Sequence, residues 1–122
     1  MNNAINWFEI PVKDMNRAAA FYEKILGASL HRDNIMGFDM AFLPCDQGSV
    51  GGALVSGEGY VPSDKGALVY LNGGNDLSQV LNRVVSAGGT VIVPKTNITP
   101  EIGFFAIFKD VEGNKVALHS ME

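Results

Sequence analysis

The chain has little of what most readily announces a chemistry. Its 122 residues include one cysteine, one tryptophan and two histidines. The lone Cys45 cannot close an internal disulfide, which fits a reducing compartment and predicts a cytoplasmic protein. Cys45 also falls in a turn with no basic neighbour, so a catalytic thiol is not expected. Two histidines give a hydrolytic triad little to draw on, and no serine sits in a nucleophile elbow. Lys and Arg number 9 against 13 Asp and Glu, a formal net charge of −4, which argues against a nucleic-acid surface. The start, Met1 followed by Asn-Asn-Ala, has no basic residue and no apolar run follows, so neither a signal peptide nor a membrane span is expected. Gly51-Gly52 and Gly73-Gly74 lack the Lys-Ser or Lys-Thr that a phosphate loop requires.

What is present is a repeat. The first half runs strand, Asp14-Met15, amphipathic helix, Gly27; about sixty residues on, the second runs strand, Asp76-Leu77, amphipathic helix, Gly88-Gly89. The apolar schedule of Met15, Ala18, Ala19, Tyr22, Ile25 and Leu26 recurs at Leu77, Val80, Leu81, Val84, Ala87 and Gly88. Strands are predicted at 5–12, 28–32, 38–43 and 49–55, and again at 67–72, 90–93, 104–109 and 115–120, with helices at 14–26 and 76–87. Asp14 suits an N-cap and Gly27 a left-handed C-cap, and 110–114 reads as a hairpin turn. Pro94 is expected to stop its strand, and 33–37 and 96–103 to be loops. Each half is therefore βαβββ, within one domain, 1–122, as modules 1–58 and 64–122 joined by a glycine-rich linker at 56–66.

One helix cannot cover both faces of a four-stranded sheet, so the other face should be concave. Period-two alternation turns Trp7 and Glu9, Leu68 and Tyr70, and Ala117 and His119 toward that concavity. A carboxylate there needs a reason. Either Glu9 pairs with a base such as Arg32, or it serves a ligand or a proton transfer. Trp7 is either a stacking wall or a plug, and Tyr70 either wall or core. Phe21 and Tyr22 read as helix packing, with a subunit contact as the alternative for Phe21, which lies off the apolar stripe.

The stretch Trp7-Phe8-Glu9-Ile10-Pro11-Val12, then Asp14, Arg17-Ala18, Phe21-Tyr22 and Leu26-Gly27, resembles the vicinal oxygen chelate superfamily. So do residues 105–108 and Asp110-Val111-Glu112-Gly113-Asn114. That group holds glyoxalase I, bleomycin- and fosfomycin-resistance proteins and extradiol dioxygenases. The resemblance covers essentially the whole chain. It implies an α+β fold: two βαβββ modules in pseudo-twofold arrangement, forming an open barrel-like sheet with a central cavity. It also implies a homodimer.

The resemblance further implies where metal ligands would stand in metal-dependent members. Those positions fall on Trp7, on Ala53, on Gly66 or Leu68, and on Ala117, none of which can ligate a divalent cation. No cofactor is therefore expected. Glu9 and His119 lie two residues beyond Trp7 and Ala117, roughly 6.5 Å along their strands. A relocated site would start from them and draw a third ligand from His31 or Asp39. Two functions follow. One is small-molecule binding, as in bleomycin sequestration, in a cavity lined by Trp7, Glu9, Tyr70 and His119. The other is a lyase or isomerase of small oxygenated substrates, with Glu9 as base and His119 as partner acid. A plainer third is a domain whose own side chains fill the cavity and whose output is dimerisation.

Overall fold

The structure, a computed structural model, describes residues 3–122. The reading of the chain start at Met1 lies outside the described residues. The first half folds as β1 (Trp7–Pro11), α1 (Met15–Leu26), β2 (His31–Ile35), β3 (Phe38–Phe42) and β4 (Gly51–Ser56). The second folds as β5 (Tyr70–Asn72), α2 (Ser78–Leu81), α3 (Val84–Ala87), β6 (Thr90–Thr99), β7 (Gly103–Lys109) and β8 (Lys115–Ser120). The two four-stranded sheets have the same plan, β1-β4-β3-β2 and β5-β8-β7-β6. In each, the first and last strands run parallel and the other neighbours antiparallel. The fold is α+β, as expected, and neither sheet closes into a barrel.

The shared apolar schedule explains the packing. Met15, Ala18, Ala19, Tyr22 and Ile25 of α1 are buried, and so are Leu77, Val80 and Val84 of the second half. They meet the helix-facing residues of both sheets, among them Ile10, Leu54, Phe108 and Leu118, in one buried cluster. Each fully buried aliphatic or aromatic side chain contributes about 1.5–3 kcal/mol relative to exposure. Both caps form on α1: the Asp14 carboxylate accepts from Arg17 N at 3.1 Å, and Gly27 takes φ 66°. Phe21 packs rather than serving a subunit contact: it is 2 % exposed, edge-on to Tyr22 and 6.0 Å from the Phe108 ring. It covers the space above Gly89, so the second half gives α1 a second apolar side.

Three elements depart from expectation, each for a local reason. The second helix is two short ones because the Arg83 side chain, through Nε, donates to Gln79 O at 2.9 Å. Arg83 N turns instead to Val80 O at 3.0 Å, one residue closer, which tightens and breaks the helix. Strand β6 runs through Pro94 because it is an edge strand, where a missing N–H costs no ladder bond. Register shifts between Val91 and Thr96 absorb the ring. Strand β2 starts at His31 and takes 33–35 of the loop expected at 33–37; Met36 at φ 54° and Gly37 at φ 85° make the tight turn into β3.

The halves are fastened by the turn at 110–114. Asp110, 4 % exposed, accepts from Tyr22 Oη at 2.7 Å and from Asn114 N and Glu112 N at 2.9 Å each. Asn114 Nδ2 donates to Pro11 O at 2.8 Å, across to β1. The Glu112 carboxylate accepts from Lys13 N and Asp14 N ahead of α1 and from the Arg17 guanidinium in its first turn.

Glycines of β4 make room on both faces. A Cβ on Gly51 would stand 2.8 Å from Cys45 Sγ, and one on Gly52 2.5 Å from the Phe8 ring. Gly52→Val is accordingly expected to destabilise by about 1–3 kcal/mol, read as a lower urea midpoint with an unchanged slope. An unchanged midpoint would show that Phe8 can move aside freely.

Candidate functional site

The face of the first sheet turned away from α1 is built row by row. Register places Glu9, Ala53, Phe42 and His31 side by side across β1, β4, β3 and β2. Trp7 is two residues before Glu9 on the same face, its ring 6.0 Å from Phe42. His31 stacks on the other side of Phe42 at 5.9 Å. Met40, Ala53 and Val55 form a small buried floor with Phe38, Phe42 and Tyr60 packed on it.

Glu9 is held on both oxygens. Tyr60 Oη donates to one at 2.5 Å and Trp7 Nε1 to the other at 3.3 Å. Hydrogen bonding to Glu9, with desolvation and the carboxylate's charge adding to it, raises the Tyr60 phenol above its ordinary value. Tyr60 therefore remains a donor. The expected partner, Arg32, is engaged elsewhere: it reaches Asp39 at 3.4 Å and Asn16 at 3.3 Å. Among the described residues no base lies within ion-pair distance of Glu9.

Sequence reasoning missed Tyr60 by assigning 56–66 to a linker. The signal was an aromatic residue between flexible glycines. A Cβ at Gly57 would stand 2.2 Å from the Phe38 ring, so only glycine lets the chain fold over Phe38. Tyr60 N then closes a turn on Gly57 O at 3.1 Å, and the Tyr60 ring packs edge-on to Phe38 at 5.4 Å.

The second sheet carries its own set. Asn72, His119 and Phe105 form one row, with Tyr70, Ala117 and Ile107 in another on the same face. His119 Nε2 meets Ile102 O at 2.6 Å. A carbonyl can only accept, so Nε2 carries the proton, and in the neutral ring Nδ1 is the acceptor.

The four expected site residues are divided between two places. Glu9 lines a cleft of about 240 Å³ with Pro11, Val61, Lys65, Val69 and Lys115, where β1 meets the linker and β8. Tyr70 and His119 line another of about 660 Å³ with Asn72, Ile98, Ile102 and Met121. Trp7 stands beside Glu9, 45 % exposed.

The metal positions of the fold can be tested on donor chemistry. Trp7, Ala53 and Ala117 face outward from the helices without a ligating atom, and Gly66 has no side chain. These residues do not fit a divalent cation. Among the described residues, no three His, Cys, Asp or Glu side chains gather as a metal-holding group. The relocated set of Glu9, His119, His31 and Asp39 is thus not brought together.

Two mixed four-stranded sheets of identical strand order, each with helix on one face, define a glyoxalase-like α+β protein. The chain belongs to the Glyoxalase/Bleomycin resistance protein/Dioxygenase superfamily, whose model matches residues 4–118. No curated protein matches it. Among solved structures it is similar to a hypothetical protein, SA1046, from S. aureus, at 26 % identity and TM-score 0.68, covering 98 % of each chain. A glyoxalase I variant from Zea mays shares the fold at 22 % identity and TM-score 0.69, over 94 % of this chain and 46 % of that one. TnmS3, an antibiotic binding protein from Streptomyces sp. CB03234, shares it at 24 % identity and TM-score 0.63, over 97 % and 95 %. No helix among the described residues is long and apolar enough to cross a membrane.

Proposed function

We propose that the chain is a small-molecule binding protein of this superfamily, without a required metal and working as a homodimer inside the cell. One observation carries the reading. A single exposed carboxylate, Glu9 on the edge strand β1, is fixed on both oxygens by Tyr60 and Trp7 beside a cluster of aromatic side chains. Apolar walls with a few oriented polar groups are the composition of ligand sites. The shared fold of an antibiotic binding protein is in keeping with it. Exposed apolar side chains of the second half, among them Tyr70, Ile98 and Ile102, support a partner copy over the second sheet. The free Cys45 thiol suits a reducing interior.

The enzymatic alternative needs Glu9 and His119 at one substrate, and within one chain they line different clefts. Binding therefore ranks above proton transfer.

Trp7 is the only tryptophan, so intrinsic emission reports from the site itself. Titration with a panel of antibiotics and small oxygenated compounds is expected to give a saturable change with at least one of them. Glu9→Gln should weaken that compound by about tenfold, the worth of one charge-assisted hydrogen bond, and EDTA should leave it unchanged. A ligand indifferent to Glu9→Gln, or lost on removal of a stoichiometric cation, would overturn the proposal.

A further inference from the structure

We infer that the first-sheet site takes a small organic cation, an ammonium head seated over the Trp7 ring and against the Glu9 carboxylate. The inference rests on the binding reading above and names its ligand class. Glu112, Asp39, Asp64 and Asp76 each have a Lys or Arg within ion-pair distance, whereas among the described residues exposed Glu9 has two neutral donors and no Lys or Arg that near. A phenol and an indole N–H fix the carboxylate in place but leave its negative charge whole. Each oxygen keeps acceptor capacity beyond the bond it already accepts.

The surroundings suit a cation in particular. Two aromatic pairs flank Glu9: Trp7 with Phe42 at 6.0 Å and Tyr60 with Phe38 at 5.4 Å. Each pair is tied to the carboxylate by its own hydrogen bond. Aromatic faces carry negative electrostatic potential, strongest for indole, and attract ammonium groups. Trp7 is 45 % exposed, so part of that ring is open beside the charge. The floor between Glu9 and Phe42 is Ala53, which is apolar and offers an anion nothing. Lys65 and Lys115 border the cleft on the linker side of Glu9, and neither is within ion-pair distance of it. The cation's seat is thus on the Trp7 side. The net charge of −4 favours its approach at long range.

The test compares benzyltrimethylammonium and choline with the neutral isostere of choline, 3,3-dimethyl-1-butanol. Binding to the full chain is read by Trp7 emission and by calorimetry. Both cations are expected to bind saturably, at least tenfold tighter than the neutral alcohol. Glu9→Gln should erase that preference and leave the alcohol within twofold. Tyr60→Phe keeps the charge and should retain the preference even if the site loosens. Equal affinity for choline and its isostere, or cation binding unmoved by Glu9→Gln, overturns the inference. If neutral compounds bind in a Glu9-dependent way and cations do not, the ligand class is wrong while the binding reading stands.

Discussion

Asp110→Ala is expected to cost at least about 3 kcal/mol, a large part of the roughly 5–15 kcal/mol that holds a domain of this size. The carboxylate is buried and accepts from four donors: Tyr22 Oη, Glu112 N, Asn114 N and, at 3.1 Å, Asn114 Nδ2. Removing it strands the Tyr22 hydroxyl, whose ring is fully buried. Each buried donor left unpaired costs about 1–3 kcal/mol, and such terms do not simply add. Burial first, and the adjacent Asp110 charge with its hydrogen bond after it, push the Tyr22 phenol well above its ordinary value, so it has no ionised form to escape into. Tyr22→Phe removes one donor and leaves the other three, and should cost only about 1 kcal/mol. Urea unfolding of both variants checks the ranking. If Asp110→Ala lost no more than Tyr22→Phe, the turn would be a simple hairpin and not the fastening between halves.

That turn shows how far the sequence could be read. Asp-Val-Glu-Gly-Asn between two alternating strands spells a hairpin, and a hairpin forms at 110–114, closed by Asp110 N to Asn114 O at 2.8 Å. Its neighbours were illegible, because Tyr22 stands 88 residues and Pro11 103 residues away in the chain. The α1 helix was legible throughout because its caps and stripe are local. The second helix was not: its break depends on one arginine side chain choosing a backbone carbonyl, an option periodicity does not register. The same holds for Pro94, whose meaning changes with whether its strand is at an edge, a property of the finished sheet.

The candidate site divides along the same line. Alternation alone put Trp7 and Glu9 on one face of β1 and His119 on the corresponding face of β8, where they stand. Which residues would meet there was a question of loop path. Tyr60 reaches Glu9 across 51 residues only because Gly57 lets the chain pass over Phe38. Arg32, next in strand pairing to Ala41 and so on the opposite face from Phe42, turns to Asp39 and Asn16. A repeat in the sequence therefore located the face of each sheet turned away from the helices but not its lining.

Acid should loosen the joint between the halves before it affects the rest. Burial by itself pushes the Glu112 carboxyl up. The bonds from Lys13 N, Arg17 and Asp14 N outweigh it and hold the group below its ordinary value. A depressed folded value means that the folded state binds its proton less readily than the unfolded chain. The stability it confers is whole above the ordinary glutamate range, near pH 4.3, and is lost as pH falls through the lower folded value. Asp76 acts in the same sense: Lys95 at 2.8 Å and Ser78 N at 2.9 Å bring it down to about 2. Glu112→Gln keeps the shape but weakens the acceptor, and should cost about 1–3 kcal/mol at pH 7. The gap between variant and parent should shrink toward zero as pH drops below about 4, because protonation does to the parent what the substitution has already done. Urea midpoints at pH 7, 5 and 3 measure it, and a gap that stayed constant would mean that Glu112 acts by packing alone. Trp7 emission adds a local reading, since β1 carries both Trp7 and the Pro11 carbonyl that Asn114 holds. If the fastening opens first, the emission should move at a higher pH than the far-ultraviolet dichroism of the sheets.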